Sequence, residues 1–374
     1  MKAYLIICLT ILFSSRIHAQ DKTMPSKIFG EDRTVLVHTP KGNGRFPVLY
    51  LLDGASNFDM MVSITEYLSS EGFCPAMMVV GIIHPDRTKD LVPAAGNLFM
   101  SYLGKELMPY IDSAYPTTTY RTLVGHSLGG LTVINTLLHQ PNLFNAYVSL
   151  EGALWWDDQR TVKEASRILP GANYKGKTLF LAMANRMEKG IDTFLVQKDT
   201  SGNTDLIRSN LTLVKDIMRN QQNALRFQHK YYQEDNHSSV RLIGEYDALR
   251  FLFDFYKLNI YNSQYENPAF KLDSLLVSHY KKVSAYMGYL VLPNESQVNS
   301  LGYRMLSMKQ YDKAETMFQM NIANYPQNAN GYDSMGDLFL AKENKVKAIE
   351  YFRKTLSIQN IPETKEKLDK LLGK

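Results

Sequence analysis

From about residue 30 to 258, short apolar runs alternate with longer stretches of helical periodicity, the pattern of an α/β chain built on a mainly parallel sheet. The apolar runs predict strands at residues 33–38, 48–52, 77–83, 119–125, 146–150, 177–184 and 225–232. Several show no polar alternation, as expected of strands covered on both faces. Helical periodicity predicts helices over 98–114, 128–139, 204–220 and 238–256. After residue 258 strand-like runs stop, and a polar linker, 259–268, leads into unbroken helical periodicity. At the other end, Lys2, an apolar run over 3–13 and then Ile17-His18-Ala19-Gln20 have the form of an export signal cleaved after Ala19. That run is too short to span a bilayer. The predicted organisation is a signal peptide at 1–19, an α/β domain at 20–258, a linker and packing helix at 259–294, and a small all-α domain at 295–374.

The all-α part repeats itself. Gly302 recurs as Gly336, Ala314 as Ala348 and Phe318 as Phe352, each pair 34 residues apart. This spacing resembles the tetratricopeptide repeat, in which small residues sit where two helices cross and aromatics fill the groove. The expected repeats cover 295–328 and 329–362, with Asn321 and Thr355 where the repeat usually has alanine. A last helix ending at Leu372 is expected to cap them, and segment 272–286 to pack them against the large domain.

Composition narrows the class. Of 374 residues, 45% are hydrophobic and 21% charged, which excludes a largely disordered chain and a coiled coil. Without Lys2 and Arg16 the charge is 40 basic against 37 acidic residues, too even for a general nucleic-acid binder. Cys8 leaves with the signal, so Cys74 is alone and an internal disulfide is excluded. Past the signal, the sequence has no apolar run long enough for a membrane span. The expectation is an exported soluble protein, periplasmic or secreted, with no metal and no cofactor.

The chemistry lies in Gly125-His126-Ser127-Leu128-Gly129-Gly130, which follows the strand ending Leu123-Val124 and opens a helix. That is a nucleophile elbow, Gly-x-Ser-x-Gly, in its required strand-to-helix setting. The turn is so tight that side chains at the flanking positions would strike neighbouring backbone. It lifts the Ser127 hydroxyl clear of the sheet and turns the Leu128 N–H toward an acyl oxygen. A serine needs a base, and in this fold the order is Ser, acid, His. Of the histidines after Ser127, His139 ends the elbow helix, His229 lies within a strand and His279 in the helical part. His237, just beyond the last strand, is the candidate. The acid is expected after strand 177–184, where Glu188 stands nearest the strand end; Asp192, Asp205 or a bare Ser-His dyad are the alternatives. The second oxyanion donor is expected from Leu52-Asp53-Gly54-Ala55, as the Ala55 N–H. Trp155 and Trp156 would either wall a substrate pocket or pack in the core.

Taken together, Leu49-Tyr50-Leu51-Leu52-Asp53-Gly54, Arg87 with Asp90-Leu91, Glu106-Leu107 with Pro109-Tyr110-Ile111, the elbow, and Trp155-Trp156 resemble the putative-esterase family. This α/β-hydrolase group includes esterase D, the enterochelin-type siderophore esterases and the mycolyltransferases. The resemblance covers residues 30–258. It implies an α/β-hydrolase fold and serine hydrolase chemistry, with Ser127 as nucleophile, His237 as base and a glutamate after the penultimate strand matching Glu188. The chain departs from the family at Ser149-Leu150-Glu151-Gly152, where serine and proline are common, so Glu151 is expected near the pocket as a residue bearing on substrate choice. Arg87 is the one basic residue expected to bind substrate. The function expected is an exported serine carboxylesterase acting on a small-molecule ester, with the helical repeats as a surface for a protein partner. An acyltransferase on the same site and a non-catalytic scaffold are the alternatives.

Overall fold

The computed structural model describes residues 20–42, 44–187 and 192–374, the side chains of 93–97 excepted. The expected signal at 1–19 and Glu188 lie outside them. The chain divides into two compact units between Lys257 and Leu258.

The first unit is built on one eight-stranded sheet of β1 (Gln20–Ser26), β2 (Glu31–His38), β3 (Phe46–Leu51), β4 (Met78–Ile82), β5 (Thr117–His126), β6 (Ala146–Leu150), β7 (Thr178–Ala184) and β8 (Arg226–Tyr232), in the order 1-2-4-3-5-6-7-8. Only β2 runs against the rest: it pairs antiparallel with β1 and β4, and β4-β3-β5-β6-β7-β8 pair in parallel. Every residue of β3, β4, β6 and β7 is buried, which is why those runs lack polar alternation. The helices are α1 (Gly54–Ser70), α2 (Arg87–Leu91), α3 (Pro93–Tyr102), α4 (Met108–Ala114), α5 (Leu128–His139), α6 (Trp156–Ile168), α7 (Asp205–Arg219) and α8 (Val240–Leu252). A π-turn, Leu103–Leu107, joins α3 to α4, so the single helix expected over 98–114 is a helical stretch that begins five residues earlier.

Besides the short α2, three elements of this unit escape the apolar pattern. Strand β1 reads QDKTMPS, with only Met24 and Ser26 buried, and lies at the sheet edge, where Pro25 is tolerated. Helix α6 buries only Thr161, Val162 and Ala165 of its thirteen residues, too narrow a stripe to register. Helix α1 starts inside the segment expected to be an oxyanion loop. Cys74 is buried, and burial pushes its thiol up to about 12, so it is inert.

The second unit is helical: α9 (Asn262–Glu266), α10 (Leu272–Met287), α11 (Glu295–Ser307), α12 (Tyr311–Asn324), α13 (Ala329–Ala341), α14 (Lys345–Ile358) and α15 (Pro362–Leu372). Residues 34 apart take equivalent places. A Cβ on Gly302 would lie 2.3 Å from Cε1 of Phe318, and one on Gly336 would lie 2.3 Å from Cε1 of Phe352. Ala314 and Ala348 are fully buried. Asn321 and Thr355, larger than alanine, donate from Nδ2 and Oγ1 to the carbonyls of Glu295 (2.9 Å) and Tyr351 (3.0 Å). Helix α10 joins this core through Leu272 and Leu276. Among the described residues no helix is long and apolar enough to cross a membrane.

Because β3, β5, β6, β7 and β8 are parallel, their C-terminal ends open on one edge of the sheet, where such folds place their sites. Asp53, Ser127, Glu151 and His237 all follow these ends.

Candidate active site

Strand β5 ends at His126 and α5 begins at Leu128, leaving Ser127 at φ 58°, ψ −116°. Such a conformation costs a non-glycine residue on the order of 1–3 kcal/mol, so the surroundings must hold it. The Ser127 N–H donates to the Leu150 carbonyl (3.0 Å), and its own carbonyl accepts from the N–H groups of Leu131 (3.0 Å) and Ala153 (2.9 Å). The glycines follow from contact: a Cβ on Gly125 would lie 2.4 Å from the Gly129 carbonyl carbon, and one on Gly130 would lie 2.8 Å from Gly152 Cα. The Leu128 N–H belongs to the first turn of α5, where amides have no acceptor within the helix.

His237 lies in the turn between β8 and α8, with Nδ1 3.3 Å from Oε2 of Glu151. Glu151, just past β6, is fully buried and has a positive φ of 47°. Its N–H donates to the Ala182 carbonyl (2.8 Å), and its Oε1 accepts from the Ala184 N–H (2.6 Å), both at the end of β7. Among the described residues, the carboxylate beside His237 therefore follows β6. Glu151 was expected to bear on substrate choice, and its side chain faces the histidine instead. Its sequence signal was a charge ending the largely apolar run 146–150, one strand beyond the elbow's. Asp192 is exposed and accepts from the N–H groups of Phe194 (2.9 Å) and Leu195 (2.7 Å), while Asp205 pairs with Arg208.

His126 Nε2 lies 2.6 Å from the His237 carbonyl, and the two rings are 4.5 Å apart. Burial, with His237 alongside, pushes the His126 imidazole down to about 4. It is thus neutral near pH 7 and donates its Nε2–H to that carbonyl.

These side chains meet at a cavity of ≈300 Å³, whose lining includes Ser127, His237, His126, Asp53, Asn57, Arg87 and Arg241. The Ser127 hydroxyl has no hydrogen-bond partner among the described residues; in substrate-free esterases the contact with the base is often long and tightens in the Michaelis complex. Arg87 was expected to bind substrate. It lies in the wall, but its fork is occupied: Nε and Nη2 take the two Asp53 oxygens (2.6 and 2.9 Å), and Nη2 also donates to the His126 carbonyl (2.9 Å). It ties the Asp53 segment to the elbow. Trp155 does not line the cavity; it is 42% exposed, with its ring 5.7 Å from that of Trp156. Ala55 stands in the first turn of α1, so its N–H has no acceptor within that helix, while the residue itself lines a neighbouring cavity with Asp21 and Leu36.

The family model described as "Putative esterase" matches residues 26–240, more than half of the chain. The chain belongs to this family. The match takes in β2 through the start of α8, and with them Ser127, Glu151 and His237. Among solved structures, an IroE-like serine hydrolase from Shewanella oneidensis is 27% identical with a TM-score of 0.68, covering 81% of this chain and 98% of that one. Together with the strand order, this establishes the α/β-hydrolase fold. An uncharacterised protein from Capnocytophaga ochracea, 17% identical with a TM-score of 0.64, covers 95% of this family member and 100% of its own chain, a likeness of fold alone. Curated relatives include the ferri-bacillibactin esterase BesA of Bacillus subtilis, 27% identical over 35% of this chain and 56% of the relative. The siderophore enterobactin esterase of Emericella nidulans is 30% identical over 20% and 25%. The chain spans little more than half the length of the first and a quarter of the second.

Proposed function

We propose that this chain is a serine carboxylic-ester hydrolase in which Ser127 is the nucleophile, His237 the base, Glu151 the acid that orients it, and the N–H groups of Leu128 and Ala55 bind the oxyanion. The observation that carries this is the Glu151–His237 pair at 3.3 Å, with His237 lining one cavity together with a serine held at a strand-to-helix elbow. His237 Nε2 accepts the Ser127 proton as the oxygen attacks the ester carbonyl. The Glu151 carboxylate keeps the proton of the neutral ring on Nδ1 and stabilises the imidazolium that forms. The tetrahedral oxygen takes up negative charge in front of the two helix-start amides, each donor worth on the order of 3 kcal/mol. Collapse of the intermediate releases the alcohol, which takes its proton from His237. Water then repeats the sequence on the acyl-enzyme and frees the acid.

The substrate is proposed to be an ester of the siderophore type, by analogy with the relatives named above. With Arg87 committed to Asp53, Arg241 is the cation in the wall that remains for an anionic or catecholate group. Export, read from residues 1–19, belongs to the same proposal, as does a tetratricopeptide-like helical unit, supported by the matched Gly302–Phe318 and Gly336–Phe352 contacts. The test is hydrolysis of p-nitrophenyl esters and of a catecholate trilactone by wild type and Ser127→Ala, with fluorophosphonate labelling in parallel. Turnover and labelling that both vanish in Ser127→Ala are expected. A folded wild type that neither labels nor turns over any ester would overturn the proposal.

A further inference from the structure

One carboxyl beside this site takes no part in the chemistry above. Glu245, on α8, is 1% exposed. One of its oxygens accepts from Asn57 Nδ2, and the other is buried with no hydrogen-bond partner. Asn57 itself lines the cavity with Ser127 and His237, as does Arg241, one turn earlier on α8 than Glu245. An unpaired carboxylate in such a place is costly, and a leucine of similar volume would fill the space without that cost.

What the pair joins suggests why a carboxyl stands there. Asn57 lies in the first turn of α1, two residues after Ala55 and its oxyanion amide. Glu245 lies on the helix that starts three residues after His237. The bond between them spans 188 positions of sequence and connects the two segments whose separation sets the distance from oxyanion donor to base. We infer that Glu245 is a positioning residue of this active site, acting through Asn57 to hold the oxyanion turn of α1 at a set distance from the His237 turn. The inference rests on the serine-esterase reading above.

The charge state fits this role. Burial pushes the Glu245 carboxyl up to about 8, although Asn57 and Arg241 pull the other way, so near pH 7 it is a neutral acid bonded to a neutral amide. On its own helix the charged neighbours are Arg241, which acts on it, and Asp247, which pairs with Lys230; α1 offers the Asn57 amide, and the strands beneath α8 offer Leu150 and Ala182, packed against Gly244. Across the cavity stand Asp53, Arg87 and His237. Ionisation would place an anion in this pocket without a bonded cation.

The test compares wild type, Glu245→Gln and Glu245→Leu by the rate of fluorophosphonate labelling, by kcat and KM on a short p-nitrophenyl ester from pH 6 to 10, and by Tm. Glu245→Leu should keep or raise Tm while labelling and kcat fall on the order of 10- to 100-fold, the cost of a small misplacement of catalytic groups, with KM little changed. Glu245→Gln, whose amide retains a bond to Asn57, should stay within about threefold of wild type and lack the alkaline fall in kcat expected of wild type near pH 8. A Glu245→Leu enzyme of wild-type Tm that labels at the wild-type rate would overturn the inference, as would a Glu245→Gln enzyme with the wild-type alkaline limb. Should Glu245→Leu fail to fold, the Glu245→Gln profile decides alone. Absence of labelling in wild type overturns the serine-esterase reading instead, so the two failures are told apart.

Discussion

Replacing Glu151 by Gln removes one charge and almost no volume from the site, which makes it the sharpest test of the acid. With Glu151 fully buried and 3.3 Å from His237 Nδ1, the attraction between carboxylate and imidazolium is roughly 5 kcal/mol at an effective dielectric of about 20. The His237 side chain is 32% exposed, and water screens part of this, leaving about 2–3 kcal/mol, or roughly 30- to 200-fold in rate. A second effect adds to it. The Ala184 N–H must keep an acceptor, so the Gln carbonyl stays on it and the Gln NH₂ turns toward His237. That donor forces the ring proton onto Nε2, the tautomer that cannot accept from Ser127, and the total loss in kcat is expected to reach about 10³-fold. The assay is kcat and KM for a p-nitrophenyl ester with Tm measured on the same samples; KM and Tm should move little. Glu151→Gln within threefold of wild type at unchanged Tm would refute the assignment. Glu188→Gln, measured alongside, is expected to be near wild type, and a 10³-fold loss there would return the role to Glu188.

Arg87→Ala removes the fork on Asp53 and the bond to the His126 carbonyl, so kcat should fall about tenfold or more, Arg87→Lys recovering little because an ammonium cannot reproduce the bidentate geometry; equal activity of all three by ester hydrolysis would count against the clamp. For Glu245, the folded-state value of about 8 lies above the ordinary 4.5, so between these pH values the folded chain holds a proton the unfolded chain has lost. Stability should therefore fall as pH rises through that window and level off above it, by roughly 5 kcal/mol at most. Urea unfolding of wild type and Glu245→Gln from pH 5 to 9 reads this, and parallel curves would contradict it. Gly336→Val drives a side chain into the Phe352 ring, whose Cε1 would stand 2.3 Å from the new Cβ; the helical unit should lose about 1–3 kcal/mol, seen as an earlier melting transition by circular dichroism, and an unshifted transition would deny the tight crossing.

Strands β6 and β7 were legible to within one residue because each is buried on both faces and so is largely apolar. The elbow was legible because Gly125 and Gly130 stand where a Cβ has no room. The 34-residue periodicity of the helical unit was visible for the same reason, each glycine being required by the aromatic ring against it. Strand β1 was not legible, since an edge strand with two buried residues needs no apolar pattern. Neither was helix α1, whose first turn serves the site and reads as a loop.

The partner of His237 was hidden for a different reason. Glu151 and Glu188 both follow the ends of neighbouring parallel strands, and spacing along the chain does not say which end lies beside a histidine 86 residues from Glu151. Likewise Arg87 announced itself as a cation near the site, but that Asp53, 34 residues earlier, already occupies its fork is a matter of the start of α2 meeting the turn before α1. Asn57 and Glu245, 188 residues apart, carried no signal at all. The sequence by itself determined the α/β class and the elbow that holds Ser127, because each is imposed by local constraints: burial on two faces and a turn with no room for side chains. Which carboxylate lies beside His237, what Arg87 binds and what Asn57 bonds to were decided only by tertiary structure, because these depend on which strand ends the sheet order brings together.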